Sequence, residues 1–241
     1  MVDGLPQLRK PTGITTLADS VYDSLLEAIL AHDLPPGIEL SVVALAKALG
    51  VSRTPVHEAL RHLARDGLVI QQVNRTARVA VFTPDDIADI FEMRILLEGA
   101  SAYRAVNRIS ADDLARLEAT AQRLAREVGA MEWLDEWIAF DDDFHTTIAK
   151  ASGSPRLAAD IGRYRLLHRA FNRLATARAD LSRALAEHQA ILEALRQAQA
   201  DLARERMQAH IRYWQGFFVS HFPTPPSVTA QPAGATTAPG S

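Results

Sequence analysis

Apolar residues recur at three- and four-residue spacing along most of this chain, the period of an amphipathic helix. Leu17, Val21, Leu25 and Ile29 repeat on one face of a first helix, and Thr16 with Asp19 forms a capping pair at its start. Leu34-Pro35-Pro36-Gly37 stops that helix and turns the chain. Ser41 caps a second, short helix that ends at Gly50. Ser52 caps a third, which Gly67 closes. Pro55 is tolerated there because it lies in the first turn, where its missing N–H breaks no bond. Two helices of this length joined by a tight turn read as a helix-turn-helix. They cannot bury a core alone, and Leu17 to Leu30 supplies the third wall.

The period then changes. Leu68 to Val73 and Arg78 to Phe82 are short and rich in valine, with Asn74-Arg75-Thr76-Ala77 between them, which predicts a β-hairpin forming a wing. Thr83-Pro84 is a natural boundary, since proline holds its predecessor extended. Beyond it the spacing predicts helices over about 85–107, 110–128, 131–152, 155–176, 180–197 and 200–220, with Ser110 and Asp113 as a capping pair and a break at Gly153-Ser154-Pro155. Residues 1–14 read as a flexible arm. Residues 222–241, rich in Pro, Thr, Ala and Gly and free of charged side chains, read as a disordered tail. The expected fold is mainly α: a winged helix-turn-helix over 15–83, followed by an all-α helical bundle over 84–221.

Charge sharpens this division. The net charge is −3, which does not advertise a nucleic-acid binder. Between Val43 and Arg78, however, six basic residues (Lys47, Arg53, Arg61, Arg65, Arg75, Arg78) face two acidic ones (Glu58, Asp66), a local balance of +4. Acidic residues gather downstream, at Asp85, Asp86, Asp89 and Asp141 to Asp143. A basic head on an acidic body suits DNA binding. Cysteine is absent, so no disulfide or thiolate metal site exists. No apolar run approaches the roughly 18 residues needed to span a bilayer, and the first ten residues lack the apolar core of a signal peptide. A cytoplasmic protein with no membrane partner is expected.

Ser52, Arg53 and Thr54 open the third helix, where a recognition helix meets base edges in the major groove. Arg53 has the geometry to bridge O6 and N7 of a guanine, a contact worth about 1–3 kcal/mol of discrimination; a phosphate contact is the alternative. His57 and Arg61 follow on the same helix. Arg75 and Arg78 place the wing near a phosphate or the minor groove; a solvated hairpin is the alternative, less favoured given the charge pair.

Several runs together resemble the GntR family of bacterial transcription regulators: Leu34-Pro35-Pro36-Gly37, Leu45-Ala46, Gly50-Val51-Ser52-Arg53-Thr54-Pro55-Val56, Glu58-Ala59-Leu60 and Gly67-Leu68-Val69. The helical half resembles the FCD effector domain of the FadR subfamily. Its marks are Phe91-Glu92-Met93-Arg94 with Leu97-Glu98, Asp141 to His145, Ser152-Gly153-Ser154-Pro155, Glu187-His188 and His210. The resemblance spans residues 16 to 220 and implies a homodimeric regulator, a repressor of a double-stranded DNA operator, tuned by a small carboxylate effector. Three positions depart from it. His57 and Val43 stand where the family often has arginine, and Thr76 replaces the usual wing-tip glycine. Each removes a charge or a close backbone approach.

The same resemblance implies a metal site at Asp141, His145, His188 and His210. The chemistry agrees: Asp141 and His145 are four residues apart and share a helical face. A carboxylate with three imidazoles suits Zn²⁺ first, with Ni²⁺ or Mn²⁺ also compatible. Arg94 matches an arginine that would pair with the effector's carboxylate; an ion pair with Glu98, four residues on, is the structural alternative. Arg165, His168 and Arg169 are further candidates for the same pocket, while Trp133, Trp137 and Trp214 read as packing anchors. The rival to a regulator is a metal-dependent helical-bundle enzyme. A di-iron bundle would carry Glu-x-x-His pairs, and none of the eight histidines has one, so a non-enzymatic role is expected.

Overall fold

The computed structural model describes residues 16–71, 75–128, 133–172 and 178–221. The arm at 1–14, the tail at 222–241 and the wing tip at Asn74 lie outside them. Helix α1 (Leu17–Leu30) starts from a full capping box between Thr16 and Asp19. Val21, Leu25 and Ile29 are buried as their spacing requires, but Leu17 is 48 % exposed and Ala18 takes its place in the core. Strand β1 (Glu39–Leu40) precedes α2 (Val42–Leu49), and Gly50 ends α2 in the left-handed conformation at φ 68°. Helix α3 (Arg53–Arg65) buries Val56, Ala59, Leu60 and Leu63 against α1 and α2.

Two expectations about this head are corrected. Ser52 occupies the N-cap position of α3, yet its side chain makes no capping hydrogen bond. The wing is also shorter and differently paired. Strand β2 is Val69–Ile70 and β3 is Ala77–Val79. They pair antiparallel, Val69 opposite Val79, and β1 adds to the far side of β3 with Leu40 opposite Ala77. A two-residue strand carries no readable alternation, so β1 left no mark in the sequence.

Among the described residues the body contains six helices: α4 (Pro84–Ala105), α5 (Ala111–Arg126), α6 (Trp133–Ala151), α7 (Pro155–Asn172), α8 (Arg178–Arg196) and α9 (Ala200–His221). Thr83 and Asp86 form a capping box, with Pro84 in the first turn, so the boundary residue also launches α4. Ser110 caps α5 by accepting from the backbone N–H of Asp113 at 3.0 Å. Helices α4 and α9 run closest together, and a Cβ on Gly99 would lie 2.6 Å from Gln208 Cγ. No helix among the described residues is long and apolar enough to cross a membrane.

Helix α7 lies between the two parts. Leu167 and Ala170 are buried on its head side, and Leu167 packs on Gly67 at the end of α3: a Cβ there would meet Leu167 Cδ2 at 3.2 Å. Arg165 and His168 leave the same helix toward the interior of the body.

Candidate metal centre and nucleic-acid interface

Burial on α6, α8 and α9 follows the helical period, and each helix carries a histidine inside its apolar stripe. His145, His188 and His210 are buried, and one ring nitrogen from each lies within 4.8 Å of the others. His188 Nε2 faces His210 Nε2 at 3.3 Å. Asp141 Oδ1 lies 3.6 Å from His188 Nε2 and 3.7 Å from His145 Nε2. A tetrahedral ion with bonds of about 2.1 Å has ligand atoms roughly 3.4 Å apart. The donor set therefore has the spacing of one ion's coordination shell.

Carboxylates behind the rings orient them. His210 Nδ1 is 2.8 Å from Glu187 Oε2. His145 Nδ1 contacts the Glu98 carboxylate. For His210, holding Nδ1 protonated leaves Nε2 as a bare donor, the arrangement usual behind a metal-bound histidine. Among the described residues, both ring nitrogens of His145 and Nδ1 of His188 are buried without a hydrogen-bond partner. Burial, then the nearby Arg165 charge, holds His145 well below the ordinary histidine pKa. Burial, then His210, does the same for His188. Both rings are thus neutral and ready to ligate. Burial disfavours the Asp141 anion, but the Arg165 guanidinium, by its charge and its hydrogen bond, overcomes this and holds the carboxyl well below its usual range. The residues fit a divalent ion.

Arg165 completes the arrangement. Its Nη2 donates to Asp141 Oδ2 at 2.8 Å and to Asp142 Oδ1 at 3.3 Å. Asp142 therefore sits at the edge of the site, whereas Asp143 turns away to Arg116. Arg94 lines the same cavity but is already engaged: its Nε donates to Glu98 Oε1 at 2.7 Å, with the two side chains 3 % and 1 % exposed. The ion-pair alternative is thus realised, and Glu98 links Arg94 to His145. The cavity is partly open to solvent, and His168, Arg169, Trp137 and Trp214 also line it. Trp133 is a packing anchor, its indole N–H donating to Leu124 O at 2.8 Å. Trp137 and Trp214 are both packed and cavity-facing, which sequence spacing did not reveal. Glu98 and Glu187 as ring supports were also missed; the only signal was the place of Glu187 next to His188.

On the head, Ser52, Arg53, Thr54, His57 and Arg61 are all exposed. Arg53, His57 and Arg61 follow at four-residue spacing, so they form one stripe along α3. Arg75 is exposed on the wing. Arg78 is exposed too, but its guanidinium is paired with Glu39 across β1 and β3. Val43 and Thr76 are also exposed, at the start of α2 and on the wing.

Residues 17–79 match the model for bacterial regulatory proteins of the gntR family, and residues 89–213 match the FCD domain. An HTH-type transcriptional regulator of Agrobacterium vitis, from the TAR-I ttuE-ttuC' intergenic region, is 35 % identical over 134 residues, covering 54 % of this chain and 77 % of that protein. The HTH-type regulator YdhC of Bacillus subtilis is 26 % identical over 195 residues, 80 % of this chain and 86 % of that one. Among solved structures, McbR/YncC of E. coli superposes with a TM-score of 0.70 at 22 % identity, over 87 % of this chain and all of that one.

Proposed function

The chain belongs to the GntR family of bacterial regulatory proteins and carries an FCD domain, so it is a DNA-binding transcription regulator rather than an enzyme, and from that premise we propose how it is controlled. Residues 15–83 form the reading head, and residues 84–221 bind the effector and hold a homodimer. A divalent ion, zinc in the first instance, is held by Asp141, His145, His188 and His210. A small carboxylate binds beside it and changes how the two heads of the dimer meet the operator. In the absence of effector the protein acts as a cytoplasmic repressor, occupying its site and obstructing transcription.

One observation carries this reading: ring nitrogens of three histidines from three helices lie within 4.8 Å of one another, with Asp141 Oδ1 3.6 and 3.7 Å from two of them, next to a cavity that arginines line. Three imidazoles buried this closely are costly unless something coordinates them. The ion supplies a positive anchor for a carboxylate. Arg165 orients Asp141 and offers its own charge to the same ligand group, and Arg94 pairs with Glu98 behind His145. Dimerisation is supported by Leu96 and Tyr103, exposed apolar residues seven apart on α4. The reading surface of α3 is supported by the exposed stripe from Arg53 to Arg61.

The test begins with metal content after purification and after reloading with zinc. A thermal-shift screen of small organic acids follows, and then operator binding with and without the acid that shifts most. Protein that takes up no divalent ion at neutral pH sinks the sensing mechanism and leaves the DNA-binding role standing.

A further inference from the structure

The cavity beside the ion changes character one helical turn away from it. On α6, Trp137 lies four residues before Asp141. On α8, Ala184 and Leu181 lie four and seven before His188. On α9, Trp214 and Phe218 lie four and eight after His210. All five line the cavity and all are buried. Positions four apart share a helical face, and one turn is about 5.4 Å. Each of the three helices that bring a histidine to the ion thus continues into an apolar wall one to two turns long. The charged side chains of the cavity are paired: Arg94 with Glu98, Arg165 with Asp141 and Asp142, and Arg169 with Asp142.

Among the described residues, two buried side chains of the cavity keep donors without an acceptor. Arg165 Nε and Nη1 lack hydrogen-bond partners although Nη2 is bonded to Asp141. Asp141 turns its other oxygen to the imidazoles, so its one carboxylate lies between the guanidinium and the candidate ligands His145 and His188. The second is the indole N–H of Trp214, buried in the apolar part of the wall. A buried donor left unmade costs about 1–3 kcal/mol, so each marks a place where a ligand gains by supplying an acceptor.

Building on the metal-and-carboxylate reading above, we infer that the effector is a monocarboxylate with an apolar, ring-sized body and one hydrogen-bond acceptor at the end away from the carboxylate. The carboxylate takes the ion and the free edge of Arg165. The ring lies between Trp137, Ala184 and Phe218. The distal acceptor receives the Trp214 N–H. Compact hydroxy acids leave the apolar wall unfilled, and dicarboxylates place a second charge against it.

The test uses zinc-loaded full-length protein and four probes: 4-hydroxybenzoate, benzoate, lactate and succinate. Binding is read by calorimetry and by quenching of tryptophan fluorescence. The expected order puts 4-hydroxybenzoate first, at least about tenfold tighter than lactate or succinate. Trp214→Phe weakens 4-hydroxybenzoate by about three- to tenfold, the worth of one hydrogen bond, and leaves benzoate within twofold. Ala184→Leu, which fills the apolar lobe, weakens both aromatic acids and spares lactate. Zinc stoichiometry and thermal melting establish that each variant is folded. Lactate or succinate binding as tightly as the ring acids overturns the inference while leaving the metal-and-carboxylate reading intact. Equal loss of both aromatic acids in Trp214→Phe overturns the distal contact. If none of the four binds, or all bind equally to metal-free protein, both readings fall.

Discussion

Asp141 presents one oxygen to the imidazoles and the other to Arg165, so a single side chain joins the candidate ion to the nearest buried cation. Its neighbours are joined in the same way: Glu98 touches both His145 and Arg94. Two substitutions separate metal binding from support. His188→Ala removes one of four ligands, so bound zinc and the zinc-dependent rise in melting temperature fall together, while the metal-free protein stays folded. Saturation at a hundred times Kd is worth about 2.7 kcal/mol, which sets the scale of that rise. Glu98→Ala leaves Arg94 buried without its partner, a loss of about 3–5 kcal/mol that is present with or without metal. Melting curves recorded with zinc and with a chelator distinguish the two; a Glu98→Ala protein as stable as wild type in chelator contradicts the paired role. On the head, Arg53→Ala should cost about 1–3 kcal/mol on the operator and much less on random duplex. Fluorescence anisotropy on both DNAs measures this, and an equal loss reassigns Arg53 to phosphate.

Among the elements, the caps show how much was legible and where reading stopped. Thr16, Ser41 and Ser110 bond the backbone N–H three residues on. Ser52 has the same chemistry and the same position but makes no such bond, because residue type cannot report a rotamer. Ser110→Ala should therefore lower stability by about 1 kcal/mol, while Ser52→Ala leaves it almost unchanged and weakens DNA binding. Urea unfolding of the two variants decides the point; equal losses would show that Ser52 caps after all. The long helices were readable within a few residues because their apolar stripes repeat over many turns. Strand β1 was not, since Glu39–Leu40 is defined only by its partner β3. The ordered Asp and His positions pointed to one site, yet nothing in their spacing revealed Glu98 behind His145. That contact depends on α4 packing against α6. Trp137 and Trp214 were read as anchors because an apolar stripe does not say whether it meets a neighbour or a cavity.

At the scale of the whole molecule, a bound ion would join α6, α8 and α9, three helices spread over residues 133–221. Removing zinc should therefore lower the melting of the body, and calorimetry should show the head unfolding at an unchanged temperature. Coincident shifts of both transitions would mean that the two parts unfold as one unit. Helix α7 is where that question is decided. One side of it holds Arg165 against Asp141, and the other seats Leu167 on Gly67, where the backbone sits at φ 85°. A ligand that takes the free edge of Arg165 would therefore act on the same helix that the head rests against. Gly67→Ala, strained in its own backbone and crowded against Leu167, tests this from the far end. It touches neither ion nor DNA, yet it should change the effector concentration needed to release the operator. An unaltered dose–response curve in a folded variant would mean that the signal reaches the head by another route, through Thr83 and α4.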